Sequence, residues 1–182
     1  MKLTAAIATL LMLSPIAAAA QTPAMPGGHV GHAHKLGAQS TTLTITNDGK
    51  VNTFTLADLK ALPQVNITVK DGKTRKDMTW TGPLLSDVLA ACGFAYNNQT
   101  EHKLVHLYAV AYGTDGYAVV FSIPELIGLF HTGQTIVAIQ RDGAPLTTIG
   151  QFTLYDSADI FTARRVSNFT SLEIRAATDA TP

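Results

Sequence analysis

Apolar and polar residues alternate along this chain in short runs, and most runs have a period of two, which is the signature of half-buried strands. Residues 41–46 (TTLTIT) alternate and are rich in β-branched side chains. Asn47, Asp48 and Gly49 form a turn signal, and residues 51–55 return as the second arm of a hairpin. Residues 65–70 (VNITVK) repeat the pattern, with Asp71 and Gly72 turning the chain. Leu104 to Ala111 is long enough for a largely buried strand that contains His106. Gly113 to Gly116 turns it, and residues 117–121 run back antiparallel. Residues 135–140, 152–155, 164–166 and 169–174 supply the remaining strands, with a hairpin-type turn at 141–145.

Helical spacing is rarer, and caps mark where it occurs. Thr55 followed by Asp58 resembles an N-cap with an acid three residues on, which opens a short helix over 56–61 that ends at Pro63. Leu84, Leu85, Val88, Leu89 and Cys92 fall on one helical face, with Gly82-Pro83 before them and Gly93 as the stop. Ser122 and Glu125 form a capping box around Pro124 and predict a helix from about Ile123 to Phe130. Strands dominate and helices are interspersed singly, so the pattern predicts a mixed, strand-rich α+β domain over residues 39–176.

The ends of the chain differ in kind. A basic start, an apolar run over 4–16 and the small residues at 17–20 predict a secretory signal peptide over residues 1–20, cleaved before Gln21. The mature protein is then expected in the periplasm, without stable membrane insertion. Residues 21–38 are rich in Gly, Pro and Ala and predict a disordered lead. That lead carries His29, His32 and His34, imidazoles spaced to wrap a Cu, Ni or Zn ion, or else simply a linker that contains histidines. Residues 177–182 predict a flexible tail.

Charge and cysteine count narrow the chemistry. The chain has 13 Lys and Arg against 13 Asp and Glu, so it carries no basic footprint for nucleic acid. The single cysteine, Cys92, excludes a disulfide framework and multi-cysteine metal sites. Its place on a buried stripe predicts a small hydrophobe. His102, His106 and His131 are scattered, with no nucleophile elbow and no phosphate loop. The sequons at Asn66, Asn98 and Asn168 are taken as chance occurrences.

Four segments together resemble a known family. They are WTGPLLSDVLAACGF from Trp80, DGYAVVFSIPEL from Asp115, IVAIQRDGAPL from Ile136, and residues 152–174 with Asp156, Arg164, Arg165 and Val166. In order and spacing, from about Leu43 to Ile174, they are similar to the oxidoreductase molybdopterin-binding domain, the sulfite oxidase fold, in its short, exported, stand-alone form. In catalytic members a cysteine thiolate ahead of the tryptophan–glycine segment holds molybdenum. Here that segment is VKDGKTRKDMT, residues 69–79, and it contains no cysteine.

The resemblance implies a molybdopterin-type cofactor cleft or its remnant. An anionic pterin phosphate would call for cations, hydroxyls and an apolar slot. Arg164 and Arg165 are the first candidates to line the cleft, with Lys73, Arg75 and Lys76 adding charge. Trp80, Asp115, Tyr117, Asp156 and Asp159 would complete its rim. The alternative for the arginines is pairing with Asp156 and Asp159 across a turn. For Asp115 and Tyr117 it is turn geometry and sheet packing. The reading is therefore of a periplasmic binding or redox-accessory domain for an anionic small molecule or a redox partner protein. Its alternatives are an active molybdopterin-dependent oxidoreductase and a metal-handling or protein-interaction module that uses the histidine lead.

Overall fold

The computed structural model describes residues 37–72, 74–94, 96, 101–160 and 162–177. The signal-like segment, the lead with His29, His32 and His34, Lys73, Asn98 and the last residues of the tail lie outside them. The order is β1 (Thr42–Asn47), β2 (Lys50–Thr55), α1 (Leu56–Ala61), β3 (Val65–Lys70), β4 (Asp77–Gly82), α2 (Leu85–Ala91), α3 (Glu101–Leu104), β5 (Leu107–Gly113), β6 (Ala118–Ser122), α4 (Ile123–Leu126), β7 (Thr135–Ala138), β8 (Gln140–Arg141), β9 (Ala144–Pro145), β10 (Thr153–Asp156), a 3-10 turn (Thr162–Arg164), β11 (Val166–Ser167) and β12 (Phe169–Ala176). The domain is strand-rich α+β, as the alternation predicts. No described helix is long and apolar enough to cross a bilayer.

The strands form three sheets, ordered β2-β1-β12-β5-β6, β11-β10-β7 and β3-β4-β8-β9. One large core lies against the five-stranded sheet and gathers Leu43, Ile45, Leu85, Phe121, Phe152 and Phe169 with their neighbours. A second, smaller core holds Ile67, Trp80, Ile136, Ala138, Leu146 and Tyr155. The two cores meet where β4 crosses β7. A Cβ on Gly82 would lie 2.0 Å from the Val137 carbonyl oxygen, so only glycine admits this approach. That contact places Trp80 beside Tyr155.

Local signals are realised closely. Thr55 and Asp58 make a reciprocal capping box on α1, and Ser122 and Glu125 make another on α4. On α2, Leu85, Val88, Leu89 and Cys92 are buried, and Gly93 stops the helix with φ +80°.

Several expectations are corrected. The strand foreseen from Leu104 begins at Leu107, because Leu104 closes the short helix α3, and His106 lies exposed outside the strand. Helix α4 ends at Leu126 and not near Phe130, since the Gly128 and Leu129 N–H groups fold back onto the carbonyls of Glu125 and Pro124. The run over 135–140 is split: at Ile139 the chain leaves one sheet and enters another. Residues 164–166 do not form one strand, because Arg164 ends a 3-10 turn and only Val166 enters β11. The final strand β12 pairs antiparallel with β5 but parallel with β1, so the sheet is not built from hairpins alone.

Candidate functional site

The 3-10 turn Thr162–Arg164 is a wall between two open cavities. Arg164, which ends the turn, and Arg165, which follows it, face opposite sides. On one side a cavity of about 580 Å³ is lined by Arg164 with Glu125, His131, Asp159 and Ile160 among others. On the other a cavity of about 310 Å³ is lined by Arg165 with Asp115, Tyr117, Thr162, Ala163 and Ser167. A narrow recess shares Thr162 and Arg165 with this second cavity and is closed by Tyr155, Asp156 and Asp159.

Arg164 is fully engaged. Its Nε donates to the Asp159 carboxylate at 3.0 and 3.3 Å, and a terminal N–H donates to Glu125 Oε1. The guanidinium lies over the Phe121 ring, 4.6 Å from its centroid. Burial works against the charge, but the bonds from Glu125 and Asp159 outweigh it and hold the guanidinium above its ordinary range. Asp159 is itself raised. Burial is the main cause and prevails over the pull of Arg164, with Asp156 and Glu125 adding repulsion.

Arg165 is placed differently. Its backbone N–H closes the turn on the Thr162 carbonyl at 3.2 Å. Its guanidinium carbon lies 5.8 Å from the Trp80 ring centroid, and its Nε is buried without a hydrogen-bond partner. No described acid forms an ion pair with it. Trp80 is fully buried, stacks on Tyr155 at 5.4 Å with 21° between the planes, and lies 5.7 Å from the guanidinium of Arg141. The Trp80 Nε1 is also buried and unpartnered. Burial raises the Tyr155 phenol, against the pull of Arg165, so it stays a protonated donor at neutral pH.

Tyr117 braces the wall: its hydroxyl donates to the Ala163 carbonyl, and its backbone N–H donates to Asp115 Oδ1 at 3.0 Å. Asp156 is buried and satisfied, accepting from the Thr135 hydroxyl and the Ala158 N–H, each at 2.8 Å. The structure therefore brings Arg164, Arg165, Trp80, Asp115, Tyr117, Asp156 and Asp159 into one neighbourhood. Arg75 stands apart. It is exposed at the tip of the β3–β4 hairpin with φ +59°, held by its N–H to the Asp71 carbonyl at 2.9 Å, and lines neither cavity.

Glu125, His131 and Asp156 form a metal-capable group, with one ligand atom of each within 4.8 Å of the others. As placed, the His131 Nδ1 accepts the Gly133 N–H at 3.0 Å. A neutral ring then carries its proton on Nε2, which faces Asp156 Oδ2 at 3.4 Å. Glu125 is taken up by Arg164. A metal here would need the other imidazole tautomer and a release of Glu125.

Sequence reasoning passed over Glu125, Tyr155, Thr162 and Ser167 as parts of this neighbourhood. Glu125 carried a signal only as a helix cap, and Tyr155 only as a strand residue.

No family model and no curated protein matches the chain. Among solved structures it is similar to the sulfane dehydrogenase SoxCD of Paracoccus pantotrophus, with a TM-score of 0.57 and 16% identity over 79% of this chain and 40% of that one. At that identity the likeness is one of fold, and the chain spans less than half of its neighbour's length.

Proposed function

We propose that this domain binds a small anionic, ring-bearing ligand of the molybdopterin class in the cavity beside Arg165. It does so as an exported binding or redox-accessory domain in the periplasm. The observation that carries the reading is Arg165 itself, a cation facing an open cavity with a buried, unpartnered Nε. A guanidinium left without a carboxylate in such a place suits a ligand phosphate or carboxylate. The Thr162 and Ser167 side chains line the same cavity and add polar contacts. Asp115 offers an acceptor for an amino-bearing heterocycle. The fold likeness to a sulfane dehydrogenase and the four-segment resemblance to the molybdopterin-binding domain support the ligand class.

The donor set fits the organic, anionic part of such a cofactor and not a thiolate-bound metal. Cys92, the one cysteine, lies buried on the α2 core face, where burial raises its thiol against a weak pull from Lys50. It lines neither cavity. Bound there, the cofactor would supply redox chemistry. This chain's residues would bind and orient it, through Arg165 at the anion and Asp115 at the ring.

The test is recovery of the protein from the periplasm of a cofactor-competent bacterium, followed by assay of bound pterin. The wild type is expected to carry pterin and the Arg165→Ala variant to lose it. Protein recovered without pterin, from a host whose other molybdoenzymes are loaded, would refute the ligand class. N-terminal sequencing of the same material tests cleavage before Gln21.

A further inference from the structure

We infer that Arg164 and Tyr117 are positioning residues that aim Arg165, and that the 3-10 turn is a braced wall whose bracing sets the Arg165 cavity. The inference rests on the reading of Arg165 as the ligand contact, but the placement of Arg165 can be measured without any ligand.

The geometry is as follows. Three residues of the turn, Thr162, Ala163 and Arg164, separate the two cavities, and Ala163 lines both. A 3-10 turn of this length has one closing hydrogen bond, here from the Arg165 N–H to Thr162, and such turns do not hold their shape alone. Two side-chain braces hold it from elsewhere in the fold. From one side Arg164 ties it to Glu125 on α4 and to the ring of Phe121 on β6. From the other, the Tyr117 hydroxyl ties the Ala163 carbonyl to the segment that precedes β6. Both braces come from the stretch that runs from Tyr117 through β6 into α4, whose first turn is closed by the Ser122–Glu125 capping box. Because neighbouring residues of the turn point to opposite sides, fixing Arg164 toward α4 fixes Arg165 toward Trp80. A loosened wall would let the Arg165 guanidinium leave the indole and widen the cavity at Ala163.

The chain has a single tryptophan, Trp80, so indole emission reports this one place. The Arg165 charge near the ring makes both emission wavelength and quenching by a neutral solute depend on where the guanidinium sits. Arg165→Gln is expected to shift the emission and set the reference. Arg164→Gln should reproduce much of that shift although residue 164 does not touch the indole. Arg164→Lys, which restores a cation to Glu125 and Asp159, should return the emission toward wild type. Tyr117→Phe, which removes one hydrogen bond and leaves the ion pairs in place, should move it in the same direction by less. Titration with inorganic phosphate, read by the same emission, is expected to weaken about tenfold in Arg164→Gln, the scale of one displaced charge-assisted hydrogen bond.

Wild-type emission in a folded Arg164→Gln protein would overturn the inference. If that variant does not fold, wild-type emission in Tyr117→Phe, which lacks the hydroxyl bond to the Ala163 carbonyl, would overturn it equally. A shifted emission with no phosphate response in any variant, wild type included, would uphold the bracing and count instead against the ligand reading.

Discussion

Arg164 and Arg165 are one peptide bond apart and have opposite surroundings. Arg164 sits between two acids, over an aromatic ring, with its charge matched. Arg165 lies near a buried indole, its Nε unmatched, with a cavity in front of it. The first arrangement is what stability selects: a cation that neutralises Glu125 and Asp159 and fastens a loop to a helix. The second is not explained by stability, because a buried donor without an acceptor costs free energy. Identical side chains thus separate into a brace and a candidate contact, and what separates them is the partners that the fold brings from distant parts of the chain.

The largest effect is expected on the Arg165 side, at its aromatic floor. Trp80, on β4, is fully buried and stacked on Tyr155, so Trp80→Ala should cost about 3–5 kcal/mol of unfolding free energy in denaturant titration. A loss well under that would mean the second core is looser than the stacking implies. Next comes the pair itself. Arg164→Ala leaves two part-buried acids uncompensated and should cost about 1–2 kcal/mol, the groups being too exposed for the full price of a buried pair. Arg165→Ala should change stability by less than about 0.5 kcal/mol, within the usual range for a part-exposed side chain with no ion pair to lose, while pterin retention falls. Reversed magnitudes would erase the distinction between brace and contact.

The half of this picture carried by local signals was legible in the sequence. The capping boxes at Thr55 and Ser122, the stop at Gly93 and the alternation in β1 to β3 depend on residues within a few positions, and they fold as read. What was not legible depends on distance along the chain. Nothing near β12 says that it will pair parallel with β1. Nothing near Asn168 says that its side chain will be buried, accepting the Ser40 N–H at 2.6 Å and donating to Ala38 at 2.8 Å. Glu125 reads as a cap and is one, but its second role toward Arg164 needs α4 and the 3-10 turn to meet. Both arginines and Asp159 were identifiable as a group, yet their division of labour was not, because it is set by Glu125, Phe121 and Trp80, each about 40 residues or more away.

Acid–base titration sharpens the brace. The carboxyl of Asp159 is raised above its ordinary value of 3.8, chiefly by burial. A carboxyl whose folded pKa is raised favours folding when protonated, so its contribution weakens as pH climbs from 3.8 through the raised value. Removing that titration with Asp159→Asn should flatten the decline on this acidic-to-neutral limb. Because Arg164 loses an acceptor charge, the same variant should also bring Trp80 emission partway toward that of Arg164→Gln. An unchanged pH profile would mean that Asp159 is already well solvated and that Glu125 alone carries the brace.

The smallest expected effect lies in α1, far from the wall, and has the opposite sign. Asp58 is held below its ordinary value of 3.8 by hydrogen bonds from the Thr55 side chain and backbone N–H, the latter at 2.8 Å. A carboxyl lowered in the folded state gives stability that is present above the unfolded value and lost as pH falls through the folded one. Asp58→Asn should therefore weaken the domain slightly at neutral pH and make no difference once wild-type Asp58 is protonated. The two curves, measured as unfolding midpoints in denaturant, should converge on acidification. For Asp159→Asn the burial part of the difference should instead grow as pH rises. If Asp159→Asn, like Asp58→Asn, were less stable than wild type at neutral pH and lost that deficit on acidification, Asp159 would be behaving as an ordinary hydrogen-bonded surface acid. The unusual burial assigned to the Arg164 side of the wall would then have to be given up.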